Sequence, residues 1–501
     1  MGPVYVCFWY DTEDFVQPLS DDAALRIAQL HTRHGVPATF KVVGEKARRL
    51  RDRGRQDVIA ALAAHDLGYH SDLHSAHPTV TEYCEPLTFA HGESLFRRLE
   101  TQGFHDVQSV FARPCTTFGQ AGAAWAPQVY PVLRQWGVPT YVDEGPWIGL
   151  NEAPFWYMGL LHVFRMKQNG VRFPVSVPGA ELDAVAVFNQ LSRQLGEGEG
   201  GVISIYFHPL EWVTEAFWDA LNFADGVNPP ERADVVAGWH GEFWRPDVRL
   251  DWPLEPPPVA PFAERERRFE ALGNYLRHVH RSGVRAIGCG DLMQLYPDHA
   301  IGRWYSADEL VEATGDWYDS VSYCRVAHGW LSAGEVLTAL CGLLVLTESE
   351  PGQGRAPVLA RAEPVDGPHD DVPPLRETVL MPFDFLVSAA VWLLAQTLMA
   401  PSAATVRPVL PAGIPVGPLT VRPEEFLMGC VRALRTITCG GEAPDDVELG
   451  PTRLTPAEHV RGGPETFVWP CFPAGFDAPN VIAHAARQTW TLKPALPAPA
   501  S

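Results

Sequence analysis

The 501-residue chain lacks paired cysteines, an excess of positive charge and any long apolar run. Its nine cysteines are scattered singly with no C-x-x-C spacing, which excludes a disulfide scaffold and fits thiols kept reduced inside a cell. Sixty acidic residues against 39 basic ones give a formal net charge of −21, which argues against a nucleic-acid backbone or an anionic membrane as principal partner. The longest apolar stretch, Phe385 to Ala400, is too short to span a bilayer comfortably. The first strand-like run begins by Val4, leaving no room for a signal peptide before it, so a cytoplasmic location is expected. One local basic cluster, six residues from Lys46 to Arg55, reads as a solvated helix face.

What is present is an ordinary globular composition, 46% hydrophobic and 20% charged, long enough for two or more cores. Many of the 46 prolines crowd into 253–261, 351–374 and 494–499, which read as linkers, loops and a frayed tail. Up to about residue 295, strand-like runs alternate with helical stretches. The strand candidates are Val4–Tyr10, Ala38–Val43, Asp66–His70, Val107–Arg113, Thr140–Asp143, Leu161–Met166, Val202–His208 and Val284–Gly288. Helical candidates lie between them at Asp21–His34, Lys46–Ala64, Ala121–Trp136, Glu181–Leu195 and Glu264–Arg281. Such alternation predicts a mainly parallel sheet, open or closed into a barrel, whose active face collects the C-terminal ends of the strands. Residues 212–260, rich in Trp, Asp and Pro, read as a long insertion, either a lid or a surface loop.

From about residue 301 the pattern changes. Pro382-Phe-Asp-Phe-Leu386, Pro423-Glu-Glu-Phe-Leu427 and Ser332-Ala-Gly-Glu-Val-Leu337 each open an apolar helical run, with a proline or serine just before an acid at the helix start. Residues 301–501 therefore read as a mainly helical, repeat-like accessory domain with a Pro/acid-rich linker near 351–374, suited to homo-oligomer assembly or partner recognition.

The chemistry-bearing residues sit at the predicted strand ends. Tyr5-Val-Cys-Phe-Trp-Tyr-Asp11-Thr-Glu-Asp14 delivers three acids within four residues. His70 and His74 stand four apart, which on a helical turn points both imidazoles one way; with one carboxylate from Asp11, Glu13 or Asp14 they would make a three-ligand catalytic zinc site, and His77 lies near enough to compete. Arg113, Asp143 and His208 fall at further strand ends. Cys115, beside an arginine, has no dedicated base partner by spacing and reads as packing.

The order of these motifs resembles the polysaccharide deacetylase family, the NodB-homology or carbohydrate esterase 4 group. Tyr10-Asp11-Thr-Glu-Asp14 is similar to its first motif, His70-Ser-Asp-Leu-His74 to its second and Arg113-Pro-Cys-Thr-Thr-Phe-Gly119 to its third. Asp143 with Trp147 resembles the fourth motif and Ile203-Ser-Ile-Tyr-Phe-His208-Pro the fifth. The resemblance implies a distorted, seven-stranded (β/α) barrel over residues 1–298. It further implies a metal-dependent hydrolase removing an acyl group, most plausibly acetyl, from an N-acylated sugar.

Asp14, His70 and His74 would hold zinc, with Glu13 the alternative to Asp14. Asp11 would be the base, Arg113 would pair with it, His208 would be the acid and Asp143 would orient His208. Thr116 or a neighbour would supply the oxyanion donor. A cyclic-amide hydrolase on the same fold, and a sugar-binding relative without turnover, are the rival expectations.

Overall fold

Residues 4–10 carry only β-branched, aromatic and thiol side chains, a composition suited to a strand buried on both faces. In the computed structural model they form β1 (Val4–Thr12), with Val6 to Tyr10 fully buried. The structure describes residues 2–143, 145–151, 153–163, 171–229, 253–349, 358–398, 406–440 and 442–498. Along one edge β1 pairs in parallel with β8 (Gly201–Phe207), from Val4 to Tyr10. The other edge is shared by β2 (Thr39–Val42), opposite Trp9 to Thr12, and β9 (Arg285–Ile287), opposite Tyr5 to Cys7.

Beyond β2 follow, all parallel, β3 (Asp66–Tyr69), β4 (Thr117–Phe118), β5 (Thr140–Tyr141) and β7 (Leu160–His162). β6 (Phe155–Tyr157) then runs antiparallel to β7, through a tight two-residue turn at Met158 and Gly159 with φ of 47° and 80°. The outermost strand, Lys493–Pro494, is antiparallel to β6. Among the described residues the sheet therefore has ten strands rather than seven, and its order runs open-ended from Lys493–Pro494 to β8 rather than closing into a barrel. The hairpin and the returning tail add antiparallel strands that strand–helix alternation does not announce.

Of the expected helices, three appear at Leu19–His34, Ala180–Glu197 and Phe262–Arg281, the stretch after Gly44 divides into Gly44–Asp52 and Gln56–Ala63 around Gly54, whose φ is 67°, and of Ala121–Trp136 only Tyr130–Gln135 is α-helical. One strand expectation is wrong. Val107 to Phe111 is the end of a 23-residue helix, Phe89–Phe111, whose Phe96, Phe104, Val107 and Phe111 line its buried face. Helical periodicity over six turns overrides the short β-branched run at its end. The true strand, β4, starts only at Thr117, so Arg113 precedes a strand instead of ending one. Phe164, Arg165 and Met166 of the expected strand 161–166, and residues 230–252 of the expected insertion, lie outside the described residues. The described part of that insertion is packed, with Trp212 and Trp218 buried.

A second core occupies residues 300–449, together with Trp490. The helices Ala333–Ser349, Phe383–Leu398 and Pro423–Gly440 start where the repeated sequence openings stand, and Glu335 and Glu425 accept hydrogen bonds from the backbone N–H of Ser332 and Arg422. The region is not helical alone, however. Each of these helices follows directly on a short strand, at Gly329–Leu331, Val379–Pro382 and Leu419–Val421, and among the described residues the region holds five two-stranded sheets.

The segment 358–374 is not a free linker either: Leu359–Arg361 pairs with Trp304–Ser306, and Asp366 is buried against Arg134. Residues 351–357 lie outside the described set. After the second core the chain returns to the first, where Phe467, Phe472, Val481, Ala485 and Leu492 join the packing under the sheet.

Candidate metal and acid–base site

The C-terminal ends of β1, β2, β3, β5 and β8 meet at one cluster. Asp11 and Glu13 come from β1, Lys41 from β2, His70 from the residue after β3, Asp143 from two residues after β5 and His208 from the residue after β8. Parallel strands concentrate their last residues in this way because every strand ends on the same edge of the sheet.

Glu13, His70 and His74 present ligand atoms within 4.8 Å of one another, all buried. His74 Nε2 is 2.8 Å and His70 Nε2 3.6 Å from the Glu13 carboxylate. His70 donates its Nδ1–H to the Gly119 carbonyl at 3.0 Å, and His74 Nδ1 contacts the Ser75 hydroxyl. Both Nε2 atoms are thereby aimed at Glu13. Two imidazoles and one carboxylate directed at one point are the donor set a divalent cation needs once the imidazoles give up their protons, so these residues fit a metal; burial lowers the His74 pKa, but Glu13 outweighs it and raises it. Trp218 donates its indole N–H to the other Glu13 oxygen at 3.1 Å. Burial pushes the Glu13 carboxyl up, but His74 and His208 outweigh it and hold the group well below the usual range, in its ligand form.

The two histidines are not on a helical turn. The loop is irregular, and Ser71 and His74 take φ of 64° and 55°, the left-handed region where a side chain is strained. The Ser71 hydroxyl accepts from the His74 N–H at 3.1 Å and helps hold this conformation.

Beside this set lies a second group. Lys41, fully buried, is 2.9 Å from Asp11 and donates to Asp143 at 2.5 Å. Burial opposes ionisation of the lysine, but Asp11 and Asp143 raise its pKa above the ordinary value. For Asp11, burial pushes upward, and Lys41, His70 and His208 together prevail and lower it. Gly119 makes this packing possible, because a Cβ there would come within 2.1 Å of the lysine nitrogen and 2.2 Å of the Asp143 carboxylate.

On the far side of Asp11, His208 Nε2 lies 3.6 Å from its carboxylate, while His208 Nδ1 donates to Glu211 at 2.9 Å. Burial lowers the pKa of this imidazole, but Glu13, Glu211 and Asp11 more than compensate and raise it to about 9. At neutral pH His208 is thus a cation with a proton to give.

The structure brings Asp11, His70, His74, Asp143 and His208 together; Arg113 and Asp14 it does not. Arg113 is exposed at the opposite end of β4 and donates to the Ala63 carbonyl, and Lys41 pairs with Asp11 instead. Asp14 is not part of the histidine group: its Oδ1 accepts from the backbone N–H of Val16 and Gln17, shaping the turn into the helix Leu19–His34, and its Oδ2 is buried without a hydrogen-bond partner. Asp143 faces Lys41, and Glu211 stands beside His208 where Asp143 was expected.

Thr116 spends its backbone N–H on the Leu67 carbonyl, as part of the sheet, and is not available to an oxyanion. Trp147 stacks on Trp125 at 5.4 Å, His77 is bound to Glu82 and the Phe223 carbonyl, and burial pushes the Cys115 thiol up to about 12. The basic cluster Lys46 to Arg55 is neutralised internally, with Lys46 on Asp21, Arg48 on Asp72 and Asp106, and Arg55 on Asp22. Sequence spacing missed Lys41 and Glu211. Lys41 inside the apolar run of β2 was a readable signal, since a lysine flanked by buried positions needs a buried partner.

No protein-family profile and no curated protein sequence matches the chain. Solved structures do. One is a protein described as a polysaccharide deacetylase from Pseudomonas aeruginosa PAO1, at 11% identity over 58% of this chain and 90% of that one, with a TM-score of 0.36. Another, described likewise, is from Mycobacterium smegmatis, at 13% identity over 59% and 93%, with a TM-score of 0.35. A CE4 family pseudoenzyme from Bacillus anthracis matches at 14% identity over 41% and 55%, with a TM-score of 0.25. The solved structures to which this chain is similar are polysaccharide deacetylases and CE4 family members. At such identity the reaction has to be argued from the site itself. Among the described residues no helix is long and apolar enough to cross a membrane.

Proposed function

We propose that the chain is a metal-dependent amide hydrolase that removes an acyl group, acetyl in the first instance, from an N-acylated sugar. The observation that carries this reading is the convergence of a buried base and a protonated acid on one metal-type donor set. Asp11 lies 3.7 Å from His70 and 3.6 Å from His208. Glu13, His70 and His74 would hold the cation, and zinc suits two imidazoles and one carboxylate with a position left open. When bound, the cation supplies Lewis-acid polarisation of the acyl carbonyl and acidifies water.

The chain's own residues handle the protons. Asp11 accepts one from the attacking water, and Lys41 keeps it ionised for that task. His208 gives its Nε2 proton to the sugar nitrogen as the carbon–nitrogen bond breaks, so the products leave as a carboxylic acid and an amine. Each positioned proton transfer is worth about 10²–10⁴-fold.

The test is metal analysis of protein purified without chelators, followed by acetate release from a panel of N-acetylated sugars. Stoichiometric zinc, with acetate release lost in Asp11→Asn and His74→Ala, is expected. Protein that holds no metal and releases no acetate overturns the reading.

A further inference from the structure

We infer that Glu211, clamped by Arg172, is the positioning residue that fixes the ring of the proton donor His208; the inference rests on the hydrolase reading above. One Glu211 oxygen, Oε1, accepts from both the backbone N–H and the Nδ1–H of His208, each at 2.9 Å. Receiving main chain and ring on the same atom ties the imidazole to its own backbone. It leaves Nε2 as the only ring nitrogen facing Asp11. The other oxygen, Oε2, accepts from Arg172, whose second terminal nitrogen donates to the Tyr206 hydroxyl at 3.0 Å. Arg268 donates to the Glu211 carbonyl at 2.7 Å and fixes the turn beneath.

The clamp is also braced against the base. The Arg172 guanidinium lies 4.7 Å over the Tyr206 ring, and Tyr206 stacks at 4.8 Å on Trp9, its in-register partner across β1 and β8. Lys41, which holds Asp11, sits 4.2 Å over that same Trp9 ring. The cation behind the acid and the cation behind the base therefore rest on one pair of stacked rings, which sets the spacing between Asp11 and His208. Phe217 meets the His208 ring edge-on at 5.0 Å. A cavity of about 430 Å³ opens beside Arg172, Glu211 and Phe217, so the clamp borders accessible space and not the deep core.

The competing explanation is that Glu211 merely caps the short turn Pro209–Trp212. Acetate release is compared for wild type, Glu211→Ala, Arg172→Met, His208→Ala and the double variant His208→Ala/Glu211→Ala. In parallel, NMR of histidine-labelled, metal-free protein reads the His208 Nδ1–H directly. If Glu211 positions the acid, Glu211→Ala lowers kcat about 10–100-fold with KM unchanged, as loss of an outer partner of a working histidine does. Arg172→Met gives a smaller loss of the same kind.

In the His208→Ala background Glu211→Ala then costs nothing further, because residues acting as one unit are not additive. The hydrogen-bonded Nδ1–H resonance, present in wild type, disappears in Glu211→Ala. An equal loss in both backgrounds, or an unprotonated Nδ1 in wild type, overturns the inference. Activity lost in His208→Ala but kept in Glu211→Ala sinks this inference alone; full activity in His208→Ala sinks the role given to His208 in the hydrolase reading as well.

Discussion

Two buried lysines each clasp two carboxylates, in different parts of the molecule. Lys41 joins Asp11 to Asp143 at the strand ends, and Lys493 joins Glu335 at 2.8 Å to Asp298 at 2.7 Å where the second core meets the returning tail. The chemistry is the same, and the desolvation cost of burying such ions is offset only while all partners stay in place. What differs is the neighbourhood. Lys41 shares Asp11 with His70 and His208, whereas Lys493 holds Glu335 on the helix Ala333–Ser349 of the second core, with Arg407, Tyr305 and Cys324 as electrostatic neighbours of that carboxylate. The Lys41 cluster shares its carboxylate with imidazoles that can bind a cation or move a proton, and the Lys493 cluster joins two parts of the fold.

The largest effect that would sharpen this contrast comes from removing one whole side of it. A chain ending at residue 459 loses Lys493, the strand beside β6 and the tail's contribution to the first core. It is expected to give no cooperatively folded protein by circular dichroism and gel filtration; a monodisperse, folded product would show the tail to be an appendage.

Next come the lysines singly. Lys41→Met leaves two buried carboxylates uncompensated and should cost about 3–5 kcal/mol in chemical denaturation together with all acetate release. Lys493→Met should cost about 3 kcal/mol by the same mechanism, its partner Asp298 being partly exposed, while folded molecules keep their full rate. Equal loss of activity in both variants would erase the distinction between the two clusters.

A smaller effect concerns pH. Because His208 is raised to about 9 and must be protonated to donate, the rate should hold through neutral pH and fall as pH rises through about 9. Glu211→Gln removes one of the carboxylates responsible, so that limb should move to lower pH; a profile unaffected by Glu211→Gln would show that another group titrates there.

The smallest effects separate Glu13, Asp14 and Arg113. Glu13→Gln should abolish metal retention. Asp14→Ala should retain the metal and cost about 1–2 kcal/mol through two lost backbone hydrogen bonds. Arg113→Ala, exposed and away from the cluster, should change stability by about 0.5 kcal/mol at most and leave the rate alone.

Much of the parallel sheet was legible because β1, β3, β5 and β8 are short buried runs that carry, or lead within two residues into, Asp11, His70, Asp143 and His208. The openings of the three long helices in the second core were legible too, since capping acids act within three residues. What misled was Val107–Arg113, where a short β-branched stretch belongs to a longer helical period. The tail strand Lys493–Pro494 had no local signal, because two residues pair only through contacts made 337 positions away, at Trp156.

By itself, then, the sequence determined which strands end in Asp11, His70, Asp143 and His208, because strand composition and chain order are local properties. It could not decide which carboxylate faces the histidines, which cation meets Asp11 or which acid holds His208. Those choices depend on side-chain direction across strands far apart in the chain. Glu13 and Asp14 differ by one residue and point to opposite tasks, and Lys41 reaches Asp11 only because β2 lies beside β1, in a register that sets Asp11 opposite Lys41. Burial made these differences matter, because inside the sheet every charge must find its partner.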